Sequence, residues 1–423
     1  MNVLIKNGLV VDPANDIDTV KDVYIGQGNI LSVGMPPAAF KADKTIDAVG
    51  KIVCPGFIDL NISLREPGFE HKATIASETK AAISAGFTSV CCSPDTYPVL
   101  DTSAVAQLII DKATSAAYAK VHPMGALTVG LKGEALSEMF ALKKTGCIAV
   151  SQAPNNNISP RTLRLALQYA SSFDLLVVLK PEDVGIRDEG VVHEGIISSR
   201  LGLNGIPVSA ETVAIAQAIA LAEETNSRVH LTGLSTLKGV AMLARAQYDG
   251  ITITADVHAY QLHLTELDVG SFDANYHVSP PLRTGEARDA LIAGVAQGVI
   301  QVSSGHRPHE PQAKQAPFTS TEEGISSLET TLPLMADLVA SNVLDWKQLV
   351  NSLSTAPAEI LGLDLGCLTT GFAADVIIFD PQASWVVNNN NWLSSGKNTP
   401  FWGQQMTGQV THTLVNGELV FER

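Results

Sequence analysis

Strand-like and helix-like segments alternate along the central part of the chain, and this alternation restricts the fold more than any other feature of the sequence. The eight strand-like segments are 57–60, 88–92, 120–122, 147–150, 175–179, 228–231, 250–254 and 299–302. The helical segments between them include 75–85, 104–117, 160–170, 210–224 and 287–296. Eight β-then-α units predict an α/β fold, a (β/α)8 TIM barrel, whose functional residues follow the carboxyl ends of the strands.

Both ends of the chain are rich in strand patterns broken by Gly, Asn and Asp. Neither end alone has many strands with which to bury a face, so we expect them to pair. The predicted organisation is a small composite β-sandwich built from residues 1–53 and 369–423, with the barrel spanning residues 54–368.

Composition excludes several classes of function. The formal net charge of −15 argues against nucleic acid or an anionic membrane as a partner. The five cysteines form no CxxC pair and have apolar neighbours, which predicts buried, reduced thiols in a cytoplasmic protein. The sequence has neither a signal peptide pattern at its start nor an apolar run long enough to span a bilayer.

The most informative motif is residues 54–68, CPGFIDLNISLREPG, where a Pro-Gly break is followed by a strand and then by Leu64 to Gly68. This segment resembles the first barrel strand of the amidohydrolase superfamily, and most closely that of the dihydroorotases. In that family the strand ends in His-x-His before Leu-Arg-Glu-Pro-Gly. The resemblance extends over nearly the whole chain, including residues 235–236, 280–283 and 397–401.

The resemblance implies a metal site at the strand ends, typically with two divalent ions that polarise an amide carbonyl and lower the pKa of bound water from about 15.7 to near 7. Each position at which the family carries a metal ligand holds another residue in this chain. These positions are Asn61, Ser63, Gln152 (or Ala153), Lys180, Gly233 and Gly305. Amide and hydroxyl groups are poor replacements for imidazole, glycine offers no side chain, and the lysine ammonium would repel a dication. We therefore expect no metal, no cofactor and no catalytic residue of the family's type.

The substrate pocket implied by the resemblance is also altered. Arg65 is retained, but the asparagine that helps to hold the substrate carboxylate falls on Asp95, which would repel an anion. A second asparagine falls on Ser279, and His306 remains beside the vacated Gly305. Arg65, Asp95, Ser279 and His306 are thus predicted to form a vestigial pocket.

Structural roles are the simplest alternatives for these charged residues. Arg65 is expected to pair with Glu66 or Asp95, because guanidinium suits buried carboxylate pairing. Lys180 is expected to pair with Asp95 or Asp256, although a buried lysine of lowered pKa could also act as a nucleophile or Schiff base. His230 is expected to be a core histidine under the barrel mouth.

Three functions are compatible with this pattern. The first is a non-catalytic, dihydroorotase-like subunit, similar to the chains that assemble with the aspartate carbamoyltransferase catalytic chain in a hetero-oligomer of pyrimidine biosynthesis. The second is an active cyclic-amide hydrolase that uses Lys180 with Asp95 or His306. The third is a metal-free sensor that keeps the pocket only to bind a small molecule.

Overall fold

The computed structural model describes residues 1–154 and 157–423. Its strands, in chain order, are β1 Val3–Asp12, β2 Ile17–Gly26, β3 Asn29–Val33, β4 Lys44–Asp47, β5 Ile52–Pro55, β6 Phe57–Ile62, β7 Phe87–Cys92, β8 Lys120–Ala126, β9 Ala149–Ser151, β10 Leu176–Leu179, β11 Val192–His193, β12 Gly205–Ile206, β13 Val229–Leu231, β14 Ile253–His258, β15 Gln301–Ser303, β16 Val376–Val386, β17 Gln405–Val415 and β18 Glu418–Glu422. Its helices are α1 Ile75–Ser84, α2 Ser103–Ala116, α3 Met139–Thr145, α4 Pro160–Ser171, α5 Val184–Arg187, α6 Ile196–Leu201, α7 Val208–Thr225, α8 Leu237–Tyr248, α9 Gly285–Ala296, α10 Leu328–Ala340, α11 Trp346–Val350 and α12 Ala356–Leu361.

The central strands form a parallel eight-stranded sheet that curls into a nearly closed barrel. The sheet order is β6-β7-β8-β9-β10-β13-β14-β15, so neighbouring strands follow one another along the chain. The first and last strands approach each other where the Ser63 amide donates to the carbonyl of His306 at 3.0 Å. The predicted TIM barrel is therefore confirmed.

In the described chain, six of the twelve helices begin where a side chain accepts a hydrogen bond from a free backbone amide. The Thr74 hydroxyl accepts from the amide of Ser77 at the start of α1, and the Ser159 hydroxyl accepts from Thr162 at the start of α4, with Pro160 in the first turn. Apolar faces of the helices then pack on the outside of the barrel in one large core. Inside the barrel, a second apolar cluster of strand residues includes Ile58 and Met124 and extends to Leu361 of α12.

Both chain ends contribute to a second eight-stranded sheet, as predicted. Its order is β18-β17-β16-β5-β1-β2-β3, with β4 paired to β1, and the join between the two ends is the antiparallel pair β16 and β5. The sheet buries its own apolar core of valine, isoleucine and leucine residues from both ends. β5 runs across residue 53, where the sequence predicted the boundary, and leads directly into β6.

Two further predictions can be compared with the structure. All five cysteines are free and buried, as predicted. In the described part of the chain, no helix has the length and apolarity needed to cross a membrane.

Candidate functional site

A narrow cavity of about 50 Å³ opens at the carboxyl ends of the barrel strands. Eight of the residues singled out from the sequence line it, namely Asn61, Ser63, Asp95, Ala153, Lys180, Ser279, Gly305 and His306. The other lining residues are Ser93, Pro154, Thr232, His258, Tyr260, Pro280, Arg307, Glu323 and Gly324. Three others lie outside this lining, namely Arg65, Gln152 and Gly233. The structure thus brings most of the predicted site residues to one place.

Lys180 follows β10 and is held by polar contacts at the cavity wall. Its Nζ donates to Glu182 Oε2 at 2.7 Å and to Ser279 Oγ at 2.5 Å, and the lysine side chain is only 10% exposed. The prediction that Lys180 pairs with Asp95 or Asp256 is wrong. Glu182 lies two residues further along the same loop, whereas Asp95 accepts from the Ser93 hydroxyl.

Asp256 is hydrogen-bonded to His230 instead of to Lys180. His230 Nε2 lies 2.9 Å from Asp256 Oδ2, and its Nδ1 lies 2.8 Å from the Thr254 hydroxyl. Burial opposes ionisation of Asp256, but hydrogen bonding and charge from His230 prevail and lower the pKa of the carboxyl group. The prediction that His230 is a buried structural histidine is confirmed, since it is 1% exposed.

His258, at the end of β14, fills the space beside the two vacated glycine positions. A Cβ added to Gly305 (φ +61°) would lie 2.4 Å from His258 Cγ, and one added to Gly233 (φ +76°) would lie 3.1 Å from His258 Nε2. His258 Nδ1 lies 2.7 Å from the Tyr260 hydroxyl, and burial lowers the histidine pKa to about 4. A neutral imidazole therefore stands where the resemblance implies metal ligands.

The role of His258 was not predicted from the sequence. The predicted seventh strand covers 250–254, whereas β14 spans Ile253–His258. The polar residues Asp256 and His258 interrupt the apolar pattern of that strand. A longer strand would have placed His258 at the carboxyl end, where functional residues of a barrel are expected.

His306 lines the cavity, but both of its ring nitrogens are engaged elsewhere. Nε2 lies 2.7 Å from Glu78 Oε2, and Nδ1 accepts from the Ser327 amide at 3.0 Å. Burial works against ionisation of Glu78, yet bonding and charge from His306 lower the pKa of that carboxyl group. The same carboxylate accepts from the Ser394 hydroxyl, so this histidine belongs to a buried structural network.

Arg65 is not part of the cavity lining and makes specific contacts elsewhere. Its Nε donates to the carbonyl of Pro308 at 3.0 Å, and its Nη2 lies 3.0 Å from His309 Nε2. Asp95 is the nearer of the two predicted partners, with Oδ2 3.9 Å from Arg65 Nη1. The predicted pairing with Glu66 or Asp95 is thus confirmed for Asp95, while the Glu66 carboxylate pairs with Lys112 at 2.5 Å.

The residues present do not fit a divalent metal. Among residues 1–154 and 157–423, no group of three or more His, Cys, Asp or Glu side chains could hold an ion. Asn61 Nδ2 donates to the Thr232 hydroxyl at 3.0 Å, which turns its amide donor toward a protein acceptor. Gln152 is fully buried and donates to the carbonyl of Leu131 at 2.9 Å. The remaining positions hold a hydroxyl, an ammonium and two glycines, which cannot replace anionic and imidazole ligands.

The family model and the relatives that match this chain carry dihydroorotase or dihydroorotase-like names. The family model described as "Dihydro-orotase-like" matches residues 50–239. The "Dihydroorotase-like protein" of Pseudomonas putida is 48% identical over 424 residues, covering 99% of both chains, and that of Pseudomonas aeruginosa is 47% identical over 423 residues, covering 100% of both. The "Dihydroorotase" of Geotalea daltonii is 41% identical over 424 residues, covering 100% of both chains.

Similarity of structure extends to more distant proteins. The L-hydantoinase (dihydropyrimidinase) of Arthrobacter aurescens superposes with a TM-score of 0.89 at 23% identity, covering 99% of this chain and 96% of the other. At that identity the match establishes a shared fold alone.

Proposed function

The chain belongs to the dihydroorotase-like family of the amidohydrolases, and we propose that it is a non-catalytic member of that family. The observation that carries the proposal is the Lys180 ammonium, which is ion-paired at the cavity wall beside the His258 ring. The resemblance assigns this position to a metal ligand, and here it holds a positive charge instead.

The size of the electrostatic penalty supports the proposal. Two unit charges 4 Å apart interact by about 4 kcal/mol at an effective dielectric constant of about 20, so an ammonium and a dication would repel by about 8 kcal/mol. Loss of metal-activated water removes several kcal/mol of transition-state stabilisation, and each 1.36 kcal/mol is about tenfold in rate. Hydrolysis by the family's mechanism is therefore not expected.

The test is a dihydroorotase assay on pure protein whose metal content is measured by atomic emission. The 41%-identical "Dihydroorotase" of Geotalea daltonii serves as the matched control. We expect no turnover of dihydroorotate or carbamoyl aspartate and no stoichiometric metal in this protein. Turnover that rises with added zinc would overturn the proposal.

We further propose that this cytoplasmic protein supports assembly of aspartate carbamoyltransferase in pyrimidine biosynthesis, as a hetero-oligomer with the catalytic chain of that enzyme. The support is the resemblance to non-catalytic chains of such complexes. The test is co-expression and co-purification, followed by sedimentation and a transferase assay. A transferase that is fully assembled and active without this chain would remove the proposed role.

A second candidate is an active cyclic-amide hydrolase with an unusual site, favoured by the relatives that are named dihydroorotase. Lys180, Asp95 and His306 would be its catalytic groups. Each already has a protein partner, and His306 uses both ring nitrogens. Turnover by metal-free protein that is abolished in Lys180→Met would favour this candidate.

A further inference from the structure

Arg307 lines the cavity, and its side chain makes no hydrogen bond to another described residue. Its guanidinium makes one ion pair, with Nη2 3.8 Å from Asp95 Oδ2, and its side chain is 30% exposed. Charge-assisted hydrogen bonds measure about 2.7–2.9 Å, so this carboxylate is about 1 Å too far away to accept one. The buried Nε of Arg307 also has no partner within the described chain. A planar, charged group with free hydrogen-bond donors therefore lines the cavity.

His258 also lines this cavity and offers a second donor that has no partner in the described chain. The Tyr260 hydroxyl is fully buried, and burial raises its pKa well above the usual value, so it keeps its proton. Its hydrogen-bond partner in the described residues is His258 Nδ1, at 2.7 Å. If the phenol donates to Nδ1, the imidazole hydrogen must reside on Nε2. That buried nitrogen has no acceptor among the residues described.

Lys180 retains hydrogen-bonding capacity as well. An ammonium has three hydrogens, and the two acceptors identified for Nζ are Glu182 Oε2 and Ser279 Oγ. Since Lys180 lines the cavity, its third hydrogen can be directed to a ligand there.

Ion pairs around the mouth form two groups. Lys180 and Arg187 pair with Glu182 and Glu323, so two cations meet two carboxylates. Arg65 and Arg307 instead share the single carboxylate of Asp95, at 3.9 Å and 3.8 Å. Charge from Glu310 and Glu322 also acts on Arg65, so Arg307 is the cation of this group that remains for a ligand.

We propose that the cavity binds a small carboxylate, held by the guanidinium of Arg307 and the ammonium of Lys180. The planar guanidinium matches a carboxylate through paired N–H groups. The cavity of about 50 Å³ has room for about three to five water molecules, which is the size of an acetate ion. Pro154, Arg307 and Glu323 also line a larger outer cleft, so a substituent on the carboxylate can extend outward.

This site differs from the one that the family resemblance implies. There the substrate carboxylate would be bound by Arg65, but Arg65 already contacts Pro308 and His309. Binding at Arg307 requires neither metal nor turnover, so it is independent of the non-catalytic role proposed above.

The test is isothermal titration calorimetry of the full chain with sodium acetate, at constant ionic strength maintained with chloride. We expect saturable binding that is at least tenfold weaker in Arg307→Met. The matched control is Arg245→Met, which removes the same charge from an exposed arginine paired with Asp249 on α8, and should leave affinity within about twofold. Equal affinities for wild type and Arg307→Met would overturn the proposal.

A second variant keeps the test independent of folding defects at Arg307. Asp95→Asn removes the carboxylate that faces the same guanidinium, so acetate should bind at least threefold more tightly. Absence of saturable heat in both wild type and Asp95→Asn would overturn the proposal. Titration with inorganic phosphate tests the chemical class, and tighter binding of phosphate than of acetate would overturn the assignment to a carboxylate.

Discussion

The close packing of the His258 ring against Gly305 can be tested by adding one methyl group at that glycine. In Gly305→Ala, the new Cβ would lie 2.4 Å from Cγ and 2.7 Å from both Cδ2 and Nδ1 of the His258 ring. The ring is fixed by its contact with Tyr260, so it cannot move aside freely. The substitution should therefore destabilise the protein through steric overlap as well as through backbone strain.

The two contributions can be separated by a control glycine. Gly298 has φ +73°, close to the +61° of Gly305, but a Cβ there would meet nothing within 4 Å. Gly298→Ala should cost about 1–2 kcal/mol of unfolding free energy from left-handed backbone strain alone. Overpacking adds about 1–3 kcal/mol, so we expect Gly305→Ala to cost about 2–5 kcal/mol.

A double-mutant cycle identifies His258 as the source of the overlap. His258→Ala leaves a gap and deprives the Tyr260 hydroxyl of its partner, so it is destabilising alone. Combined with Gly305→Ala it should cost about 1–3 kcal/mol less than the sum of the single variants, because the overlap disappears. Urea unfolding followed by circular dichroism measures all four proteins. Equal costs for Gly305→Ala and Gly298→Ala, or additivity within about 0.5 kcal/mol, would refute the reasoning.

Three other predictions follow from buried charges. Lys180→Met should cost about 3 kcal/mol in urea unfolding, because it removes one partner of the buried ion pair with Glu182; a loss below about 1 kcal/mol would contradict the structural role of the ion pair. Burial raises the pKa of Glu329 to about 8, so the folded protein holds a proton that the unfolded chain releases near pH 4.5. Stability should therefore fall as pH rises from about 5 to 8, and Glu329→Gln should flatten that fall in thermal unfolding; an unchanged profile would count against the raised pKa. Excess chelator should leave the melting temperature unchanged, and a drop on chelation would show that metal supports the fold.

The barrel could be predicted because its evidence is local and repeated. Most barrel strands contain a short apolar run, and several helices begin at a side-chain cap such as Thr74 or Ser159. Strand ends were less accurate, since residues at the carboxyl ends face the cavity and are polar. The ending of β14 at His258 rather than at 254 is the clearest case.

The hydrogen-bond partners of the site residues could not be predicted from the sequence. Motifs show which residues stand at the family's ligand positions, but the partner of Lys180 depends on the conformation of the loop that follows β10. Lys180 pairs with Glu182, which is close to it in sequence, while Asp256 is hydrogen-bonded to His230 on a neighbouring strand. Arg307 was not predicted as a site residue for a similar reason, since it lies more than two hundred positions from Asp95 in the sequence and meets it only in the fold.

A barrel whose strand ends lack metal ligands must still satisfy the polar groups there, since each buried unpaired group costs about 1–3 kcal/mol. In this chain the compensation comes from three directions. The Asp256 carboxylate accepts from His230, the Lys180 ammonium supplies a fixed charge, and the His258 ring fills volume that two glycines leave open. Eight buried side-chain atoms of the described residues lack a hydrogen-bond partner, and two of them, Arg307 Nε and His258 Nε2, belong to residues that line the cavity. Because these two share one cavity, we attribute them to a ligand rather than to imperfect packing.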